Sequence, residues 1–199
     1  MIEPDVLLSG YARGVFPMAD SRDDPEATWY TASRRGIIPL DRFRVSSNVR
    51  RIIRNDHYRV KINTAFRAVM EGCADRTSTW ISDEIIDSYC RLHELGYAHS
   101  VDVFDHDGNL VGGQYGVSLG AAFFGESMFE NEEAGEASKV ALYYCHKALV
   151  HGGFELWDTQ FWTEHLAQFG CIEISAEEYH RRLERALGKK AVFGTDLIQ

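Results

Sequence analysis

The sequence predicts an α/β protein: an α+β mixed sheet in one main unit, residues 46–199, behind a small N-terminal domain, residues 1–45. Three observations predict it. Ser100–Phe104, Asn109–Val117 and Ala121–Phe129 read as successive strands, parted by an Asp105-His106-Asp107-Gly108 turn and a break at Gly120, which makes an antiparallel meander. Ala137–Val150 then repeats apolar residues at helical spacing, with Val140, Ala141, Tyr144, Ala148 and Leu149 inward, before strand Phe154–Gln160. Finally, 199 residues at 45% hydrophobic content hold one good-sized core and an accessory unit.

In chain order, Pro4–Tyr11 is an amphipathic helical turn or two, and Arg13–Met18 a turn with an aromatic plug. Ser21–Glu26 is a polar loop. Thr28-Trp29-Tyr30 and Gly36–Leu40 are short strands, the second ended by Pro39. A short helix follows Ser47, and Tyr58, Val60 and Ile62 alternate as a strand. Asn63 is placed to cap a helix reaching about Glu71; Ser82 opens another to Leu95, closed by Gly96. After Gln160 come a short helix to Phe169, strand Cys171–Ile174 and a capping box, Ser175 to Glu178, opening a last helix to Leu187. Meander, helix, strand, helix, strand is the order of an N-acetyltransferase-like (GNAT) acyltransferase fold.

Net charge is −9, but it is segregated. Arg34 to Lys61 carries nine basic residues (Arg34, Arg35, Arg42, Arg44, Arg50, Arg51, Arg54, Arg59 and Lys61) against two acids, and the remainder twelve basic against 28 acidic. Val49, Ile52 and Ile53 at i, i+3, i+4 put Arg50, Arg51 and Arg54 on the opposite face of the short helix. Such a stripe is either a solvated face or a polyanion-binding surface. No apolar run approaches the roughly 18 residues that cross a bilayer, and Met1-Ile2-Glu3-Pro4-Asp5 is acidic, so the expectation is a cytoplasmic protein without membrane contact. Cys73, Cys90, Cys145 and Cys171 lack CxxC spacing, so reduced, mostly buried thiols are expected.

Two strands carry polar groups that call for partners. If Ala122–Phe129 alternates regularly, Phe124, Glu126 and Met128 share one face, and Phe123, Gly125, Ser127 and Phe129 the other. Leu156, Asp158 and Gln160 likewise share a face of the later strand. Burying Glu126, Asp158 and Gln160 unpartnered is costly, so they satisfy loop backbone or form a site. A coenzyme A loop is missing at Gln114-Tyr115-Gly116-Val117. Cys145-His146, or Ser127 with His165, forms no recognisable nucleophile elbow, and His146, His151, His165 and Cys171 match no zinc spacing. A non-catalytic RNA-binding module would use the basic segment and leave Asp158 and Gln160 unexplained.

Read together, Arg13-Gly14-Val15-Phe16-Pro17, Arg35-Gly36-Ile37-Ile38-Pro39-Leu40, Thr79-Trp80-Ile81, Leu92 to Ser100, Leu110-Val111-Gly112-Gly113, Gly125 to Phe129 and Asp158-Thr159-Gln160 resemble the leucyl/phenylalanyl-tRNA-protein transferases, in order over Pro4 to Tyr179. The resemblance implies transfer of Leu or Phe, with Met a further candidate, from aminoacyl-tRNA to proteins with an N-terminal Arg or Lys, marking them for degradation. Ester aminolysis of this kind requires no cofactor, ATP or metal, because the ester is already activated. It implies Asp158 and Gln160 as the catalytic pair, with Glu126 positioning them. A neutral amide is a poor base, so Gln160 is expected to orient the amine or the carbonyl. Phe123, Phe124, Met128, Gln114 and Ser127 would line the amino-acid pocket. Trp29, Tyr30 and Trp80 would stack on the terminal adenosine or belong to the core. Arg34, Arg35, Arg44, Arg50, Arg51, Arg54, Arg59 and Lys61 would bind the tRNA body, and the protein is expected as a monomer. Departures stand at Gln114, where the family has Leu or Met, at Trp29-Tyr30-Thr31-Ala32 for Trp-Trp-Ser-Pro, and at Glu136 for Asn. Many family members carry a Gly-rich segment before the Gly-x-Phe-Pro turn that has no counterpart among these residues, so a shorter small domain is expected.

Overall fold

Short hydroxyl side chains cap the N-termini of four of the seven helices among the described residues. The structure, a computed structural model, describes residues 1–194; the last five residues of the expected 46–199 unit lie outside the described residues. In order, the elements are α1 (Pro4–Ala12), β1 (Phe16–Met18), β2 (Thr28–Tyr30), β3 (Arg34–Ile37), α2 (Ser47–Arg54), β4 (Arg59–Ile62), α3 (Phe66–Ala74) and α4 (Asp83–Glu94). The chain continues with β5 (Ala98–Phe104), β6 (Leu110–Leu119), β7 (Ala122–Glu130), α5 (Ala137–Gly152), β8 (Leu156–Gln160), α6 (Glu164–Ala167), β9 (Ile172–Ser175) and α7 (Ala176–Leu187). Ser82 and Ser175 cap as their sequences predict, accepting from the N–H groups of Ile85 and Glu178. Ser46, one residue before the expected position, caps α2.

Asn63 does not cap α3. Its backbone is left-handed (φ 61°), and its side-chain oxygen accepts from Ser100 N–H instead. The start of α3 is held from across the sheet by Asp102 of β5, whose Oδ2 accepts from Thr64 N–H (2.7 Å) and Ala65 N–H (2.9 Å).

The protein is a mixed α/β structure around a seven-stranded sheet ordered β4-β5-β6-β7-β8-β3-β9. The expected meander is present as β5-β6-β7. Only β7 and β8 run parallel among the described strand pairs, since α5 crosses over to return the chain in the same direction. An early strand completes the far side: β3 lies antiparallel between β8 and β9, while β1 and β2 form a separate ribbon. One face of the sheet packs Leu7, Tyr11, Val69, Ile85, Tyr115 and Phe124 from or against α1, α3 and α4. The other buries Val49, Val101, Phe123, Ala141, Leu149 and Trp157 around α5 and α2.

The sheet is irregular in two places along β7. Regular alternation in β7 fails because of a β-bulge. Gly125 pairs with Gly116 and Ser127 with Tyr115, which leaves Glu126 as the extra residue. Phe124 and Glu126 keep to the Tyr11 side, but Met128 is thrown onto the opposite core, correcting the expected shared face. The pairing of β7 with β8 covers Ala122–Phe124 against Leu156–Asp158 and ends there, so the two parallel strands part at their C-terminal ends.

Candidate active site

Where β7 and β8 part, a cavity of about 580 Å³ opens. Its walls include Glu126, Ser127 and Met128 from β7, Gln114 from β6, Gln160 from the end of β8 and Trp80 from the segment before α4. Parallel strands with diverging carboxyl ends offer a ready crevice, because backbone groups there are no longer taken up by sheet pairing.

A connected set of polar groups lies at the floor. Asp158 is fully buried, and its Oδ1 and Oδ2 accept from Arg35 Nε (2.9 Å) and Nη2 (2.6 Å) in a bidentate pair. Tyr179 Oη donates to Oδ2 at 2.7 Å. Arg35 also donates from Nη1 to the Gly14 carbonyl and lies over the rings of Phe16 and Tyr179, at 4.9 and 4.4 Å. The Asp158 Oδ1 atom accepts in addition the backbone N–H of Gln160 at 2.8 Å.

That bond helps hold Gln160 in the left-handed region (φ 58°), where a non-glycine residue is strained by about 1–3 kcal/mol. The turn directs the Gln160 side chain to Glu126, its Nε2 donating to Oε1 at 3.2 Å. Immediately after it, the Phe161–Trp162 backbone lies against Gly36. A Cβ at Gly36 would meet Phe161 C and O at 2.5 Å, so β3 needs glycine there.

Glu126 is surrounded by donors. Tyr11 Oη donates to its Oε1 at 2.7 Å, and because the single Tyr11 hydrogen is used there, the hydrogen bond between the Tyr11 and Tyr89 hydroxyls runs from Tyr89. Burial pushes the Glu126 carboxyl up to about 8; the Tyr11 hydrogen bond and Arg35 pull against this, and the neighbouring Asp158 adds to it. The site therefore sets an acid that keeps its proton to unusually high pH beside the arginine-bound Asp158.

The structure brings Asp158, Gln160 and Glu126 together and puts Met128, Ser127, Gln114 and Trp80 on the cavity wall. It does not bring Phe123 or Phe124 there. Both are fully buried in the two cores, Phe124 packing on Tyr11 and Phe123 near Phe154 and Phe193. Leu142 of α5 and Trp157 stand in the wall instead. Trp29 and Tyr30 are absent from it, Trp29 lying over Gly10 of α1 with both rings about one-third exposed.

The basic residues divide. Arg50, Arg51 and Arg54 project from α2 and Arg59 and Lys61 from β4, all exposed and none in an ion pair among the described residues. Arg34 is exposed and pairs with Glu173, and Arg44 donates to the Ala167 carbonyl. Arg35 is 1% exposed and committed to Asp158, so it is not part of the cationic surface. Its ring partners are Phe16, the aromatic plug of the Arg13–Met18 turn, and Tyr179, which no sequence signal marks.

A buried, arginine-bound aspartate and a half-buried glutamate at a crevice of mixed polar and apolar lining, on a mixed α/β scaffold, mark the active site of an enzyme. Residues 37–184 match the family model described as leucyl/phenylalanyl-tRNA protein transferase, and residues 1–33 the model for that family's N-terminal domain. A leucyl/phenylalanyl-tRNA–protein transferase of Ruegeria sp. (strain TM1040) is 53% identical over 192 residues, covering 96% of this chain and 90% of the relative. One from Ruegeria pomeroyi is 49% identical over 198 residues, covering 100% and 93%. The chain belongs to the leucyl/phenylalanyl-tRNA–protein transferase family and is an aminoacyltransferase. Among solved structures, L-PGS from Bacillus licheniformis aligns over 95% of this chain and 72% of its own, with a TM-score of 0.49 and 11% identity.

Proposed function

We propose that this cleft transfers Leu or Phe, with Met as a further substrate, from the 3′ end of tRNA to the α-amino group of proteins that begin with Arg or Lys, feeding their degradation. The observation that carries the reading is the Gln160–Glu126 hydrogen bond, facing the cavity at the point where β7 and β8 separate. The acceptor amine attacks the ester carbonyl carbon, the tetrahedral oxyanion collapses, and the bond to the ribose oxygen breaks, that oxygen taking as it leaves the proton that the attacking nitrogen gives up. Gln160 orients the amine or the carbonyl, Asp158 fixes Gln160, and Glu126 holds the amide from the other side. The amino-acid side chain rests against Met128, Leu142 and Trp157, with Gln114 and Ser127 as polar wall.

Trp80 stacks on the terminal adenosine, and the tRNA body lies on Arg50, Arg51, Arg54, Arg59 and Lys61, with Arg34 and Arg44 at its margin. The position of α2 supports this path: Asn48 reaches Glu136, two residues from the cavity-lining Ser138. We further propose a GNAT-like fold, supported by the antiparallel meander followed by a parallel pair that splays. The division into 1–45 and 46–199, with the first unit lending β3 to the main sheet, a cytoplasmic location and a monomeric state belong to the same reading. No helix among the described residues is long and apolar enough to cross a membrane.

Incubation with labelled Leu-tRNA and an Arg-initiated peptide tests the whole. Labelled peptide is the expected product, and its absence at every concentration of enzyme and peptide would overturn the assignment.

A further inference from the structure

We infer that Arg35 and Tyr179 are positioning residues for the transfer reaction, acting on it through Asp158 rather than through tRNA. The inference rests on the proposed role of Gln160. Arg35 is the sole basic residue of the cationic segment that the described structure buries, and each of its three guanidinium nitrogens donates inward, two to Asp158 and one to the Gly14 carbonyl. With Tyr179 as a third donor, the two Asp158 oxygens are held from opposite ends of the chain, β3 and α7.

This matters because Asp158 has a task that depends on its orientation. Oδ1 must meet the Gln160 N–H at 2.8 Å while that residue sits in a strained left-handed turn. A carboxylate free to rotate would release the turn, and the side-chain amide would swing from Glu126. Misplacement on the order of 1 Å at a reacting group costs about 100-fold in rate. The Gly14 contact has a further consequence. The turn before β1 is fastened to the floor of the cleft through one guanidinium, so the N-terminal segment reaches the chemistry without touching the cavity.

The test uses full-length Tyr179→Phe, which removes one hydroxyl and keeps the ring, and Arg35→Lys, which keeps the charge but not the fork. Steady-state transfer from Leu-tRNA should show kcat lower by about tenfold in Tyr179→Phe, the scale of one hydrogen bond to a charged group, and by about 100-fold in Arg35→Lys. KM for Leu-tRNA and the Kd for uncharged tRNA should stay within about twofold of wild type. Arg35→Lys combined with Asp158→Asn should be no slower than Asp158→Asn alone. A readout independent of activity is backbone amide exchange, which should accelerate at Gln160 in Tyr179→Phe but not in β5 and β6. Unchanged kcat with weakened tRNA binding in Arg35→Lys would return Arg35 to a tRNA role. Unchanged Gln160 exchange would overturn the positioning role whatever the assay shows, and a wild-type enzyme that transfers nothing would instead reject the functional assignment.

Discussion

Asp102 and Asp158 are both fully buried in the same sheet, yet their surroundings have little in common. Asp102 stands in β5 at the paired end, with Lys61 on one side and Gly113 on the other in continuous ladders. Its donors are neutral: Thr64 N–H, Ala65 N–H and the Thr64 and Ser100 hydroxyls. Asp158 stands in the last β7–β8 pair before the strands part, with a cation, a phenol and the N–H of a strained residue as donors. The first carboxylate joins a helix to the sheet. The second is linked through Gln160 to the wall of a cavity. Burial of a charged group therefore does not by itself mark a site; what distinguishes the two is whether the hydrogen-bond chain ends inside the scaffold or at open space.

The largest contrast should lie in turnover. Asp158→Asn, measured per folded molecule, is expected to lose on the order of 1,000-fold in kcat, within the range for removing an organising polar group, with little change in tRNA affinity. Asp102→Asn should keep kcat within about twofold. Equal loss of tRNA affinity and turnover in Asp158→Asn would make that residue structural too, and the contrast would collapse.

Stability should reverse part of this picture. Asp102→Ala leaves two backbone N–H groups at the start of α3 without their acceptor, at a cost of about 2 kcal/mol, or a Tm lower by roughly 4–8 °C for a chain of this size. The transfer rate of the remaining folded enzyme should be unaffected. A Tm unchanged by Asp102→Ala would show that Thr64 and Ala65 find water instead.

The same contrast marks how far the sequence can be read. Element order, the meander, two of the serine caps and the burial of Asp158 and Gln160 follow from local patterns of period 2 and 3.6, whereas Glu126 is only half-buried. Asp102 gives no warning, because an Asp flanked by Val101 and Val103 in a strand looks like an exposed position in ordinary alternation; apart from the Ser100 hydroxyl, its donors come from residues 37 and 38 positions away. Arg35 reads with its charged neighbours for the same reason. Its partner lies 123 residues on, and only the insertion of β3 between β8 and β9 brings them together. The bulge at Glu126 is equally hidden, since nothing in Gly125-Glu126-Ser127 shows that β6 supplies one residue fewer, and so Met128 reads on the same face as Glu126; Phe123 and Phe124 read as cavity lining because no local pattern shows that both sides of β7 there are closed by core.

Glu126 gives the finest test of the comparison, because it is a half-buried acid on the cavity wall that the parted end leaves without a cation of its own. Its carboxyl is pushed to about 8, chiefly by burial, against about 4.3 in an unfolded chain. The folded protein thus holds this proton more tightly than the unfolded one does. The associated stability is fully present below about 4.3 and is lost as pH rises from there through 8. Glu126→Gln cannot ionise and keeps the size of the side chain, so its Tm minus that of wild type should increase by a few degrees between pH 5 and pH 8. A difference that stays flat would mean that water or the Tyr11–Tyr89 pair solvates the ionised acid fully. Transfer rates divide the same way. The acceptor α-amine titrates near 7.7–8.0 in any case, so whatever pH dependence survives in Glu126→Gln belongs to the amine, and the part that disappears belongs to the protein.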